Sequence, residues 1–206
     1  MSLALFLALA SIHVAAVVAP GANFLTITQN ALAYSRRTGL LTVGGVATGS
    51  GLYITAGIVG FTAVISQSVL LYNLIRVVGA AYFISMGCRM LRRPPRLGST
   101  AHTATPAADL SRRRAYRSGF VTAIANPASA LYFLAVFTTF IPVSSSLTDK
   151  ALAGLMLVAI TATWYTGVAL LFSHAQVRRL YQWAEVGMNR VFGVVWILLA
   201  VKLLAG

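Results

Sequence analysis

The chain has 206 residues, 58% of them hydrophobic and 9% charged, yet its net charge is +13 because 16 Lys and Arg face 3 Asp and Glu. A soluble nucleic-acid binder carries such an excess on a far more polar chain, a disordered basic tail lacks the apolar residues, and the single Cys88 excludes a disulfide scaffold. What remains is a multi-pass membrane protein whose charges lie outside the lipid.

In chain order, charged residues are absent from 1–35, 38–75, 118–148 and 151–177. Each run exceeds the ~20 apolar residues that cross a bilayer as a helix. Arginine snorkels from helix ends, so Arg76, Arg190 and Lys202 need not end a span. The pattern predicts six transmembrane helices near 1–20, 39–65, 69–91, 118–142, 149–173 and 187–205. The expected fold class is an all-α membrane protein, a single transmembrane domain over 1–206. The first span lacks the basic n-region of a cleaved signal peptide, and five spans follow it.

The basic residues orient the helices. Arg36 and Arg37 lie between spans one and two, and Arg178 and Arg179 between five and six. Arg92, Arg93, Arg96, Arg112, Arg113, Arg114 and Arg117 lie between three and four, with Arg89 at the edge. The positive-inside rule makes these loops cytoplasmic and both termini periplasmic. Residues 92–117 read as a basic cytoplasmic linker. Pro94, Pro95 and Pro106 break helices, and 98–105 are small and polar. Its arginines serve as a topology anchor, or also touch anionic lipid heads. Nucleic-acid binding is not expected.

An internal repeat is legible. Arg76, Val77, Gly79 and Tyr82 are echoed at an offset of 114 residues by Arg190, Val191, Gly193 and Trp196. Pro20 and Pro127 form a second echo at 107. Two three-helix halves, about 1–91 and 118–206, are implied. Because three is odd, the second half is inverted in the membrane, a plan of secondary transporters that bind substrate where the halves meet.

The charge-free residues 1–35 would run about 50 Å as one helix, against a hydrocarbon core of about 30 Å. The break is predicted at Pro20-Gly21-Ala22-Asn23, where Pro removes a donor and Gly loosens the chain. Span four carries Asn126-Pro127, an N-cap and first-turn pair. Helices one and four are therefore expected to be broken. Freed backbone groups at membrane depth require protein or a watery cavity, and a helix start there offers N–H groups to an anion. The candidate substrate-binding residues are Pro20, Gly21, Asn23, Asn126 and Pro127, with plain proline kinks as the alternative. His13, well inside span one, is a candidate proton or substrate contact, or a hydrogen-bonded packing residue.

Weaker candidates are Thr26, Thr28, Gln29 and Asn30 after the first break, Trp164 and Tyr165 in span five, and His174 at a helix end. Gly45 and Gly49 have the spacing that lets helices pack closely. The acids Asp109, Asp149 and Glu185 all fall in loops or at span ends. No catalytic constellation, cofactor site or metal site is therefore expected.

Pro20-Gly21-Ala22-Asn23-Phe24, Asn30-Ala31 and 36–39, together with 79–82, 86–91, Gly119-Phe120 and Asn126-Pro127, resemble the LysE/RhtB amino-acid exporter family across essentially the whole chain. The family's usual pattern has Pro where Ala22 stands and often Lys where Ala128 stands. The resemblance implies efflux of amino acids or small derivatives across the bacterial inner membrane, driven by the proton motive force.

Together these readings give a six-helix exporter of an amino acid, with the substrate carboxylate on the backbone N–H groups of the two breaks. With no carboxylate in the spans to pair a cationic side chain, neutral substrates resembling threonine, homoserine or leucine are favoured. The expected partners are that small molecule and the lipid bilayer, with room for a homo-oligomer. An exporter of another small solute or a cation, a membrane enzyme, and a non-transporting accessory subunit remain as alternatives.

Overall fold

In a computed structural model, residues 1–19, 21–67, 69–92, 109–142, 144–172 and 175–205 are described. They form eight helices and no strand: α1 (Leu3–Val18), α2 (Ala22–Ala33), α3 (Arg36–Gln67), α4 (Val69–Arg92), α5 (Arg112–Ile124), α6 (Pro127–Phe140), α7 (Leu147–Leu171) and α8 (Ala175–Ala205). Two of them, over Arg36–Val59 and Leu147–Leu171, are long and apolar enough to cross a membrane alone. The bent pairs α1–α2 and α5–α6 raise that number to four, and Val186–Val201 is a shorter apolar stretch.

Several ends differ from the sequence expectation. α8 begins twelve residues before the predicted 187 and α5 six before 118, so the C-terminal part of the expected 92–117 linker is helical. The reason is that charge marks where lipid ends, whereas a helix continues into water wherever its backbone is paired. Local caps set the true starts. Ser2, Ser111 and Ser146 accept from the backbone N–H groups of Leu5, Arg114 and Asp149. Residues 93–108 of the linker lie outside the described residues.

Two apolar clusters organise the bundle. One gathers Phe83, Phe137, Phe140, Leu157 and Trp196. The other gathers Phe24, Ile27, Val46, Val168 and Phe172. Leu7, Leu52, Val59, Leu74, Leu155 and Leu198 stay exposed on the outer face. In lipid such burial carries little hydrophobic driving force, so close packing and hydrogen bonds must hold the helices together.

The closest approach is between α3 and α5. A Cβ on Gly45 would collide with the backbone of Tyr116 and Phe120, one on Gly119 with the carbonyl of Thr42, and one on Gly49 would come within 2.7 Å of Ala123. The Gly45–Gly49 spacing thus does what it predicts. α4 meets α8 in the same way, since a Cβ on Gly87 would lie 2.6 Å from the Gly193 carbonyl oxygen.

Polar side chains complete this packing. Asn30 Nδ2 donates to Thr42 Oγ1 at 2.9 Å and Ser118 Oγ at 3.2 Å. Thr26 faces Thr122 at 3.3 Å, and Thr28 donates to the Phe24 carbonyl. These residues after the first break join α2 to α3 and α5, or bond within α2.

Candidate substrate cavity between two broken helices

Both predicted breaks are present. α1 and α2 meet at 52°, and α5 meets α6 at 57°. At the first, Ala19 leaves α1 in an extended conformation and its N–H closes the last turn on Ala15. Gly21 is the N-cap of α2, extended at φ −131°, and no side chain caps this helix start. A Cβ on Gly21 would meet only the Ala19 carbonyl, at 3.9 Å, so neither strain nor crowding requires glycine. Pro20 lies outside the described residues.

The second break is closed by its own residues. Asn126 Oδ1 accepts from the Ala128 N–H at 3.0 Å. The Asn126 carbonyl accepts from Ser129 at 3.0 Å and Ala130 at 3.3 Å. Pro127 has no N–H to offer. The free N–H groups expected at this break are therefore already bonded, because the N-cap that starts the helix also consumes them. On the other side of the bend, Tyr53 of α3 donates to the orphan Ile124 carbonyl at 2.6 Å.

The breaks open onto one cavity of about 600 Å³. Gly21, Ala22 and Asn23 line it from the first break, and Asn126, Ala128 and Ser129 from the second. Its volume lies within the range of small-molecule sites. Asn23 directs a buried Oδ1 that has no hydrogen-bond partner, and its amide lies beside the buried Tyr165 hydroxyl. Of the predicted site residues, Gly21, Asn23, Asn126 and His13 come together here. The side chain of Pro127 is not among those described.

His13 is buried in the wall and bonded at both ring nitrogens. Nε2 lies 3.1 Å from the Leu157 carbonyl and 2.8 Å from Thr161 Oγ1, and Nδ1 lies 2.8 Å from Tyr132 Oη. A carbonyl only accepts, so Nε2 carries a hydrogen and, in the neutral ring, Nδ1 accepts from the tyrosine. The histidine thereby ties α1 to α6 and α7.

Sequence reasoning missed Ser50, Tyr82, Arg89, Ser129, Thr161 and Trp196 as lining residues. For two of them a signal existed, because Tyr82 and Trp196 are the aromatic ends of the repeated motif. Trp164 is half-buried against the second apolar cluster, whereas Tyr165 reaches the cavity. His174 lies outside the described residues. No group of three or more His, Cys, Asp or Glu side chains that could hold a metal ion occurs among the described residues.

Outside the bundle, Asp109 clasps the start of α3. Ser35 Oγ donates to its carboxylate at 2.7 Å, and so does Thr38 Oγ1 at 2.7 Å. The Thr38 and Ser35 hydroxyls, aided by the charge of Arg37, hold this carboxyl below the ordinary carboxylate range.

A family model described as LysE type translocator matches residues 14–206. The chain belongs to the LysE type translocator family. Among curated proteins, this translocator is 32% identical over 181 residues to the threonine efflux protein of Escherichia coli (strain K12), covering 87% of each chain. It is 29% identical to the threonine efflux protein of Salmonella typhi, again over 87% of each. The leucine efflux protein of Enterobacter sp. (strain 638) is 27% identical over 66% of this chain and 63% of its own. No solved structure matches the chain. Family membership and the apolar helices make the LysE type translocator a membrane protein.

Proposed function

We propose that this protein is a secondary transporter that exports an amino acid with a neutral side chain across the bacterial inner membrane, coupled to the proton motive force. The observation that carries the reading is the single cavity at which the two broken helices meet. Polar side chains line it both at the breaks and along its walls, among them Asn23, Asn126, His13 and Thr161, and it draws on both sequence halves. Threonine and leucine come from the names of the relatives, and homoserine has threonine's size and polarity.

The architecture proposed is six spans in two inverted three-helix halves. Its support lies in the pairing of helices. Exchanging α1, α2, α3 and α4 for α5, α6, α7 and α8 leaves the α3–α7 and α4–α8 contacts in place. It also turns α2–α7 into α3–α6 and α1–α7 into α3–α5, all of which occur. Rocking of one body on another would open the cavity to each side in turn. The termini are periplasmic and residues 92–117 cytoplasmic in this scheme.

The substrate's polar head lies between Pro20–Asn23 and Asn126–Pro127. At the first break the start of α2 has no side-chain cap, and the Asn23 amide faces the substrate. At the second, Asn126 holds the bend while Ala128 and Ser129 line the wall. His13 in this reading contacts the substrate or passes a proton, and its hydrogen bonds to Tyr132 and Thr161 support the second role.

The test is uptake of radiolabelled L-threonine, L-homoserine and L-leucine into inverted vesicles or proteoliposomes, with and without an imposed pH gradient. Gradient-driven uptake of at least one, abolished by an uncoupler, is the expected result. No uptake of any amino acid would overturn the reading. Asn23→Ala is expected to lower transport about tenfold while costing about 1 kcal/mol of stability, since its Oδ1 has no partner and its contact with the Tyr165 hydroxyl is lost.

A further inference from the structure

Among the described residues lining the cavity, Arg89 is the one that carries a charge. It sits in the last turn of α4, exposed, at the edge of the cavity wall. Its Nη2 and Nε donate to Ser85 Oγ at 2.7 and 3.1 Å. Ser85 lies one turn back on the same helix, so the contact aims the guanidinium without neutralising it. The chain has only three acids. Asp109 is held by Ser35 and Thr38, and Asp149 takes the Met1 ammonium at 2.6 Å. No ion pair to Arg89 occurs among the described residues.

Two further lining atoms lack partners. Trp196 Nε1, on a fully buried side chain, is a donor with no acceptor. Asn23 Oδ1 is a buried acceptor with no donor. A buried polar atom left unpaired costs free energy, and that cost is recovered when a ligand supplies the missing group. The cavity therefore offers a cationic donor for an anionic acceptor and a neutral acceptor for a cationic donor, the two charged groups that an amino-acid head carries. Guanidinium matches a carboxylate with two parallel hydrogen bonds. An amide carbonyl oxygen accepts from an ammonium.

We propose that Arg89 binds the substrate's α-carboxylate while Asn23 Oδ1 accepts from its α-ammonium, so that the cavity selects the amino-acid head group itself. The assignment rests on the transport reading above and gives the cavity's one charge a role beyond topology. It requires a free carboxylate. Amidated and decarboxylated analogues are poor ligands, and a second cationic group on the side chain finds no counter-ion among the described lining residues.

The experiment is competition against radiolabelled L-threonine in proteoliposomes, or against whichever of L-homoserine and L-leucine the wild type takes up. The competitors are the free amino acid and its carboxamide. In wild type the acid is expected to compete about tenfold or more better than the amide. In Arg89→Gln the acid weakens by about that factor and the amide does not, so the preference falls to within about twofold. Arg89→Lys, which keeps the charge without the fork, is expected to recover part of it.

Equal competition by acid and amide in wild type overturns the assignment, with no variant needed. An unchanged preference in a folded Arg89→Gln protein also overturns it and leaves the transport reading standing. Failure of the wild type to take up any amino acid removes both.

Discussion

Asn126 spends its side chain on its own helix. Oδ1 bonds the Ala128 N–H and the carbonyl bonds two donors beyond it. Asn126→Ala should therefore lose about 1 kcal/mol of stability, and Asn126→Ser, which can still cap, should recover most of it in a thermal melt. His13 makes a different demand. Replacing it with Phe removes the partner of the Tyr132 hydroxyl and of the Thr161 hydroxyl. We expect a loss of about 1–3 kcal/mol, read as a lowered melting temperature in detergent.

Asp109 gives a pH dependence whose sign is fixed. Its carboxyl lies below the usual range in the folded chain, because Thr38 and Ser35 donate to the ionised form. The stabilisation is present above the carboxylate's unfolded value and fades as pH falls through the folded one. Limited proteolysis of the 109–117 segment should accelerate on acidification in wild type. Asp109→Asn should be cleaved faster at neutral pH and show little further change.

At the scale of elements, the glycines on α3 behave unequally. Gly45 faces the α5 backbone, whereas a Cβ on Gly44 would meet only the Tyr116 ring, at 3.7 Å. Gly44→Ala should be neutral or slightly stabilising, because alanine is the better helix former by up to about 1 kcal/mol. Gly45→Ala should cost about 1–3 kcal/mol or prevent folding. Melting temperatures of the two variants side by side check this.

Such packing was legible in sequence because small residues at a four-residue spacing have few other uses in an apolar helix. The breaks were legible for a similar reason, since Pro20-Gly21 and Asn126-Pro127 conflict with the helices around them. Helix ends were not. Hydropathy reports lipid, so the starts of α5 at Arg112 and α8 at Ala175 lay hidden among charged residues. Nor does sequence reveal what a capped helix start has left to give. Asn126 was readable as an N-cap, but the same geometry that makes it one closes the anion site expected there. Arg89 reads as one of the topology charges, because nothing along the chain says that α4 brings it to the cavity that Tyr82 and Trp196 also line.

At the scale of the whole molecule, the excess of basic residues sorts into two roles. Most flank the helices, and one borders the cavity. Cysteine labelling from either face of the membrane should find residues 112–117 accessible from the cytoplasm and residue 2 from the periplasm. The reverse pattern would invert the orientation proposed here.

The α3–α5 contact has a mechanical corollary. Gly45, Gly49 and Gly119 bring two backbones together with no side chain between them to act as a bearing. Helices so interlocked cannot slide, and one comes from each sequence half. In the transport cycle proposed above, the two sequence halves are therefore not the parts that travel. In that cycle α3 and α5 would move as a single strut and the cavity would open along a looser seam, such as that between α3 and α4, where far fewer of the described residues meet.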